Sequence, residues 1–176
     1  MFYEWLCMLC APMHVERITM DNLPRVIALF ASNPGYFSRV QSHPVDAHEC
    51  EADITMLPPG KTLSDKTYVL VSDDAGDLAV IDFVEQYPDE KTGYLGFLIV
   101  SGGRHGCGMG SVLLSKIEQA ASECGFHGWS LAAMKRTRAV WRFGERRAFH
   151  QFVLQNRKQM AFFIPLFRWR RRYKRK

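Results

Sequence analysis

The stretch from Tyr94 to Glu123 constrains this chain more than any other. Tyr94-Leu-Gly-Phe-Leu-Ile-Val100 is an almost unbroken apolar run, the pattern of a strand buried on both faces. It feeds a glycine-rich turn, Gly102 to Gly110, which opens a helix over about Ser111 to Glu123 with Val112, Leu113, Ile117, Ala120 and Ala121 on its apolar side. A strand, a glycine turn and a helix in that order expose backbone N–H groups at the positive end of a helix dipole, and such a turn binds phosphate. Gly106, Gly108 and Gly110 allow the close backbone approach that a Cβ would hinder. Two familiar phosphate loops are excluded. No lysine follows the last glycine, as a Walker A loop requires. The spacing is G-x-G-x-G, not the dinucleotide G-x-G-x-x-G, and the loop comes late in the chain.

The rest of the chain reads as one α/β domain with a mixed sheet. His14–Thr19 alternates like a strand. Asp21 or Asn22 caps a helix with Pro24 in its first turn, and Asn33-Pro34-Gly35 stops it. A second helix covers Val45 to Met56, ended by Pro58-Pro59-Gly60. Strands are expected at Lys66–Ser72, Leu78–Gln86 and Tyr94–Val100, separated by the turns at Asp73–Asp77 and Pro88–Gly93. Cys124-Gly125 ends the helix after the glycine loop, and Gly128–Met134 is a further strand. Phe149–Gln155 and Met160–Leu166 fit a hairpin across Asn156–Gln159. With 176 residues and 47% hydrophobic content the chain can bury a core without disulfides. Its five cysteines, odd in number and widely spaced, argue against a disulfide framework and fit a cytoplasmic location. Cys7 and Cys10 have CxxC spacing with no second pair to match it. Residues 1–12 are apolar but lack the basic start of a signal peptide, and they read as an extension ahead of the domain. No apolar run is long enough for a membrane span.

The glycine loop resembles the pyrophosphate-binding motif of the GNAT N-acetyltransferases, [Q/R]-x-x-G-x-[G/A]. Gly108 and Gly110 stand at the small positions, and His105 stands where glutamine or arginine is usual, with Arg104 one place earlier. Ile81-Asp82, Tyr87-Pro88 and Gly96–Val100 are similar to the central strands of small bacterial members of that superfamily, and the likeness covers roughly Met13 to Met134. The resemblance implies a central, mostly antiparallel twisted sheet flanked by helices, over a domain spanning residues 13–167. It implies acetyl-CoA as cosubstrate, held by Arg104, His105, Gly106, Cys107, Gly108, Met109, Gly110 and Ser111, with the pantetheine arm along the backbone of Phe97, Leu98, Ile99 and Val100. It also implies direct acetyl transfer to an amine, small molecule or peptide, and by analogy a homodimer.

Attack by an amine needs a proton acceptor. Asp82 and Glu85 lie on an apolar strand, where a carboxylate is costly unless paired, so each is a candidate for the amine or a structural hydrogen-bonder. Glu85, nearer the expected cleft, is the better candidate for a base. Tyr36 and Phe37, at the helix break, serve equally as an acceptor-site wall or as core anchors. Cys107 at a helix start reads as a small loop filler more readily than as a thiolate. His127 and His150 have no partners at metal-ligand spacing, and no metal is expected. No tyrosine occurs between Tyr94 and Tyr173, so no general acid is named.

Charge is sharply divided. Residues 1–134 hold 8 Lys and Arg against 17 Asp and Glu, a net −9, and residues 135–176 hold 15 against the single Glu145, a net +14. The flip falls where the family pattern decays, which marks either a basic tail or a rearranged C-terminus. Arg168–Lys176, a separate tail with seven basic residues interleaved with Trp169 and Tyr173, carries the alternative reading of nucleic-acid contact. A third reading is a GNAT fold that binds CoA without turnover.

Overall fold

The computed structural model describes residues 1–40, 43–134, 152–156 and 159–165. Its helices are α1 (Phe2–Cys10), α2 (Leu23–Ala31), α3 (Pro34–Val40), α4 (Ala47–Thr55) and α5 (Met109–Glu123). Its strands are β1 (His14–Arg17), β2 (Lys66–Asp73), β3 (Gly76–Val84), β4 (Thr92–Val100), β5 (Gly128–Met134), β6 (Phe152–Asn156) and β7 (Gln159–Pro165). The described strands form one sheet in the order β1-β2-β3-β4-β5-β7-β6. Only β4 and β5 pair in parallel, with α5 as the connection, and every other pairing is antiparallel. This is the mixed α/β sheet, mostly antiparallel and flanked by helices, that the sequence implies.

Period-two alternation sends the central strands' side chains to two separate cores. Val69, Val71, Ile81 and Phe83 face one side with Leu113, Leu114 and Ile117 of α5. Leu70, Val80 and Ile99 face the other with Val26, Leu29 and Phe30 of α2 and Cys50 of α4.

Residues 1–12, expected as an extension, are built into the first core. Phe2, Leu6 and Cys10 recur every four residues on one face of α1 and are fully buried. Phe2 lies flat on Phe83, ring centroids 3.8 Å apart, and Lys116 of α5 donates to the Leu9 carbonyl at the other end of the helix. The chain after α2 also differs from expectation. α2 stops at Ala31, but Pro34 begins α3 instead of a loop, because a proline's fixed φ and missing N–H suit a helix's first position. Tyr36 and Phe37 therefore sit on a helix, their amides donating to the Asn33 carbonyl at 3.0 and 3.3 Å. β3 ends at Val84, which leaves Glu85 beyond the strand. The hairpin read at Phe149–Leu166 is present as β6 and β7. Lys135–Phe149 and the basic Arg168–Lys176 lie outside the described residues.

Candidate active site

The glycine loop is braced at both ends. At its start, the Ser101 amide donates to the Leu78 carbonyl (2.8 Å) and the Gly102 amide to Ser32 Oγ (2.8 Å) at the end of α2. Gly102 fits so closely there that a Cβ would collide with the Ser32 carbonyl. Arg104 makes a two-pronged pair with Asp73 on β2, at 3.1 and 2.6 Å. The guanidinium hydrogen bonds, with help from the Ala75 amide, hold the Asp73 carboxyl below the usual carboxylate range. His105 Nε2 donates back to the Val100 carbonyl at 2.9 Å. The two side chains nearest the motif's first position thus hold the loop's shape, and the backbone remains for a ligand.

Gly106 and Gly108 both adopt φ +79°, a left-handed conformation that disfavours any residue with a Cβ. Gly108 caps α5, and its carbonyl accepts the Ser111 and Val112 amides at 3.0 and 3.1 Å. The amides of Met109 and Gly110 belong to the first turn, which a helix leaves without internal acceptors. The run Gly106–Gly110 therefore presents backbone donors at the positive end of a 15-residue helix. Cys107 is exposed, its thiol directed to the His105 carbonyl at 3.7 Å, and Ser111 is exposed on the first turn.

The strand that leads into this loop parts from its neighbour. The β4–β5 ladder runs from Thr92 opposite Gly128 to Leu95 opposite Leu131. Beyond that rung β4 stays paired with β3 through Phe97–Val100, while β5 stays paired with β7 through Ala132–Met134. The fork opens at Gly96, where the β3–β4 register shifts between Asp82, opposite Phe97, and Phe83, opposite Leu95. A bulge at a glycine bends a strand, and here it turns one backbone edge of Phe97, Leu98, Ile99 and Val100 away from β5.

On the α2–α4 face, beside this fork, Asp82 lies across the bulge. A Cβ on Gly96 would stand 3.3 Å from Asp82 Oδ2 and 3.5 Å from the Tyr94 ring. Lys66 Nζ donates to Asp82 Oδ2 at 3.1 Å. Burial raises the Asp82 carboxyl above its ordinary value, and the Lys66 charge opposes that rise. Asp82 Oδ1 and the Tyr68 hydroxyl, from cross-strand partner residues, are buried and have no hydrogen-bond partner among the described residues. Aromatic rings continue the face. Phe97 packs edge-on against Phe30 (5.3 Å) and Tyr36 (6.0 Å), and Phe37 contacts both Phe30 (5.4 Å) and Tyr36 (5.1 Å). Tyr36 and Phe37 thus join the cluster around Phe97, and burial raises the Tyr36 phenol. Phe30, Pro34, Phe37 and Val45 line a cavity of about 500 Å³ on its outer side.

Glu85 is elsewhere. Its carboxylate accepts the Phe2 amide at 3.2 Å and lies 3.5 Å from the Met1 ammonium, so it anchors α1 on the α5 side of the sheet. The two carboxylates thus lie on opposite faces of the sheet, as period-two alternation expects of positions three apart. Sequence reasoning missed Lys66, whose one signal was a cation heading the apolar run Thr67–Val71. Cys10 and Cys50 are buried thiols pushed up to about 11, unsuited to nucleophilic work. No group of three metal-ligating side chains occurs among the described residues, and none of the described helices is long and apolar enough to cross a membrane.

Comparison with known proteins bears on the same elements. No curated protein matches the chain in sequence. An acetyltransferase from Thermus thermophilus superposes with a TM-score of 0.73 at 16% identity, covering 87% of this chain and 96% of its own. The PaiA N-acetyltransferase from Thermoplasma acidophilum, in complex with coenzyme A, superposes with a TM-score of 0.64 at 9% identity over 87% and 98% of the two chains. The ribosomal-protein-S18-alanine N-acetyltransferase from Escherichia coli gives 0.61 at 11% identity over 88% and 94%. These likenesses show the fold. Residues 33–149, which include the fork, the glycine loop and α5, match the profile of the acetyltransferase (GNAT) family, and the chain belongs to that family.

Proposed function

We propose that this chain is an acetyl-CoA-dependent N-acetyltransferase that passes the acetyl group directly to an amine. The observation that carries the reading is the fork. A backbone edge at Phe97–Val100 that pairs with no strand among the described residues leads into a loop of backbone donors at a helix N-terminus, which suits an extended amide-bearing arm ending in a pyrophosphate. In this reading Gly106–Ser111 hold the pyrophosphate, while Arg104 and His105 keep the loop in shape. Phe97–Val100 pair with the pantetheine arm, and an amide of this edge polarises the thioester carbonyl.

The acceptor must attack as a neutral amine, so a general base or a water chain has to take its proton. Asp82 suits that role, because it lies across the bulge from which the fork opens, next to Phe97 and Tyr94. Glu85 is assigned to bracing α1. Tyr36 and Phe37 form the wall against which the acceptor rests. Five free cysteines fit a reducing, cytoplasmic setting.

Calorimetry with acetyl-CoA tests the reading, comparing wild type with Gly108→Glu. That substitution puts a side chain at φ +79° and a negative charge where pyrophosphate is expected. Wild type should bind with a Kd on the order of micromolar and the variant should not. A folded wild type that binds no acetyl-CoA would remove the proposal. Binding without acetyl transfer to any of a set of primary amines would instead favour a CoA-binding protein. The charge split favours one further reading, nucleic-acid contact through Arg168–Lys176. Deleting residues 168–176 would abolish a salt-sensitive affinity for nucleic acid under that reading and leave acetyl-CoA binding intact under the main one.

A further inference from the structure

The ion pair beneath the fork is lopsided in a way that core ion pairs usually are not. The Lys66 side chain is 3% exposed and the Asp82 side chain 20%. The cation is sealed, and the carboxylate, mostly buried with its Oδ1 closed off, keeps a small exposed margin. Lys66 is also fixed from three directions. Its Nζ donates to the Asp53 carbonyl (2.8 Å), to the Met56 carbonyl (2.8 Å) and to Asp82 Oδ2 (3.1 Å), which accounts for all three ammonium protons. Asp53 lies in the last part of α4 and Met56 is its C-cap, so the ammonium sits where carbonyls at a helix end concentrate negative potential. The Tyr68 ring lies 5.0 Å from Nζ on the same side of the sheet.

A carboxylate in so dry a place cannot stay charged alone. Burial drives it toward the neutral acid, and a neutral acid takes no proton from an ammonium. The groups around Asp82 are Lys66 and Tyr68 on β2, Asp53 and Cys50 on α4, Tyr94 on β4, and Tyr36 on α3 across the Phe97 ring. Lys66 is the one cation among them. Asp53 opposes it, since its own charge works against ionisation of Asp82.

We propose that Lys66 is the positioning residue of the acceptor site, keeping the Asp82 carboxylate ionised and turned toward the Gly96 bulge by clamping it to the C-terminal end of α4. The assignment rests on Asp82 as the proton acceptor of the proposed transferase. The chemistry is a proton transfer with no change of bonding at Lys66: the acceptor ammonium gives one proton to Asp82, the neutral amine nitrogen bonds to the acetyl carbon, the carbon–sulfur bond breaks with its electron pair going to sulfur, and the departing coenzyme A thiolate takes up the proton that the new amide nitrogen loses.

The test follows the charge of Asp82 with neither acetyl-CoA nor acceptor present. The full chain, labelled with ¹³C at aspartate carboxyls, is titrated by NMR, and the Asp82 signal is identified by its absence in Asp82→Asn. In Lys66→Met the Asp82 midpoint should rise by more than about one pH unit. Lys66→Gln, which keeps N–H donors for the helix carbonyls, should show the same rise if the methionine variant does not fold. Lys66→Arg should keep the midpoint within about half a unit. An unmoved midpoint in a folded neutral variant overturns the proposal. With the amine acceptors, the neutral variants should lose kcat at neutral pH, regain it at higher pH and keep the wild-type KM for acetyl-CoA. A parallel loss at every pH would make Lys66 merely structural. If wild type transfers no acetyl group while the midpoint still rises, the transferase reading fails and the electrostatic coupling stands.

Discussion

Asp82 concentrates the tension at the residue scale. Its oxygens are treated unequally: Oδ2 meets Lys66, and Oδ1 is buried with no hydrogen-bond partner among the described residues. An unpaired buried polar atom costs roughly 1–3 kcal/mol, a burden more natural at a working site than in a scaffold. Asp82→Asn should lower kcat by about 10²–10⁴-fold at neutral pH with little change in acetyl-CoA affinity, which steady-state kinetics and calorimetry would separate. The carboxyl is raised, so the acid limb of the wild-type rate profile should lie above the ordinary carboxylate value of about 4. The sign for stability follows from the same shift. The folded state holds the Asp82 proton more tightly than the unfolded state. That contribution is complete below the ordinary pKa and is lost as pH rises through the raised one. Melting temperatures across that window should fall more with rising pH in wild type than in Asp82→Asn.

Two elements set the site's geometry, and each can be tested by a small change. The glycine loop is pinned to α2 through Gly102, and Gly102→Ala should cost about 1–3 kcal/mol and weaken acetyl-CoA binding. The neighbouring Gly103→Ala, whose Cβ would meet nothing within 4 Å, should be close to neutral in the same melts and titrations. Helix α1 carries Phe2, stacked on Phe83, and Phe2→Ala should lower stability by about 3 kcal/mol in urea unfolding. The sequence made some of these elements readable and hid others. The strand–loop–helix unit was legible because three signals coincide: an apolar run, glycines at a turn and 3.6-residue periodicity. Helix α1 was hidden because three buried positions in nine residues look like an apolar tail until a partner surface is known. Helix α3 was hidden because Asn-Pro-Gly stops one helix and can also start the next. The Lys66–Asp82 pair is diagonal across two strands, since Lys66 stands opposite Val84 and Tyr68 opposite Asp82. Only the register brings them together. What the sequence did not show at Glu85 is its partner: β3 ends one residue before it, and its carboxylate meets the start of α1.

Over the described residues, one sheet carries two halves that diverge beyond a parallel ladder of four rungs. β4 stays with the β1–β3 half and β5 with the β7–β6 half. A ligand strand lying in the fork would therefore contact both halves. Acetyl-CoA at a hundred times its Kd should add about 2.7 kcal/mol of stability, visible as a higher melting temperature, and the gain should vanish in Gly108→Glu. The fork has a second consequence, for handling the protein. Strand edges with free N–H and C=O groups usually occur at a sheet's rim, where charge or proline protects them. This one lies mid-sheet beside Phe97, Leu98, Ile99 and Val100, an apolar sequence with strong β preference. Without a ligand strand, that edge invites pairing with a neighbouring molecule, so concentrated ligand-free solutions should cloud sooner than those kept with coenzyme A.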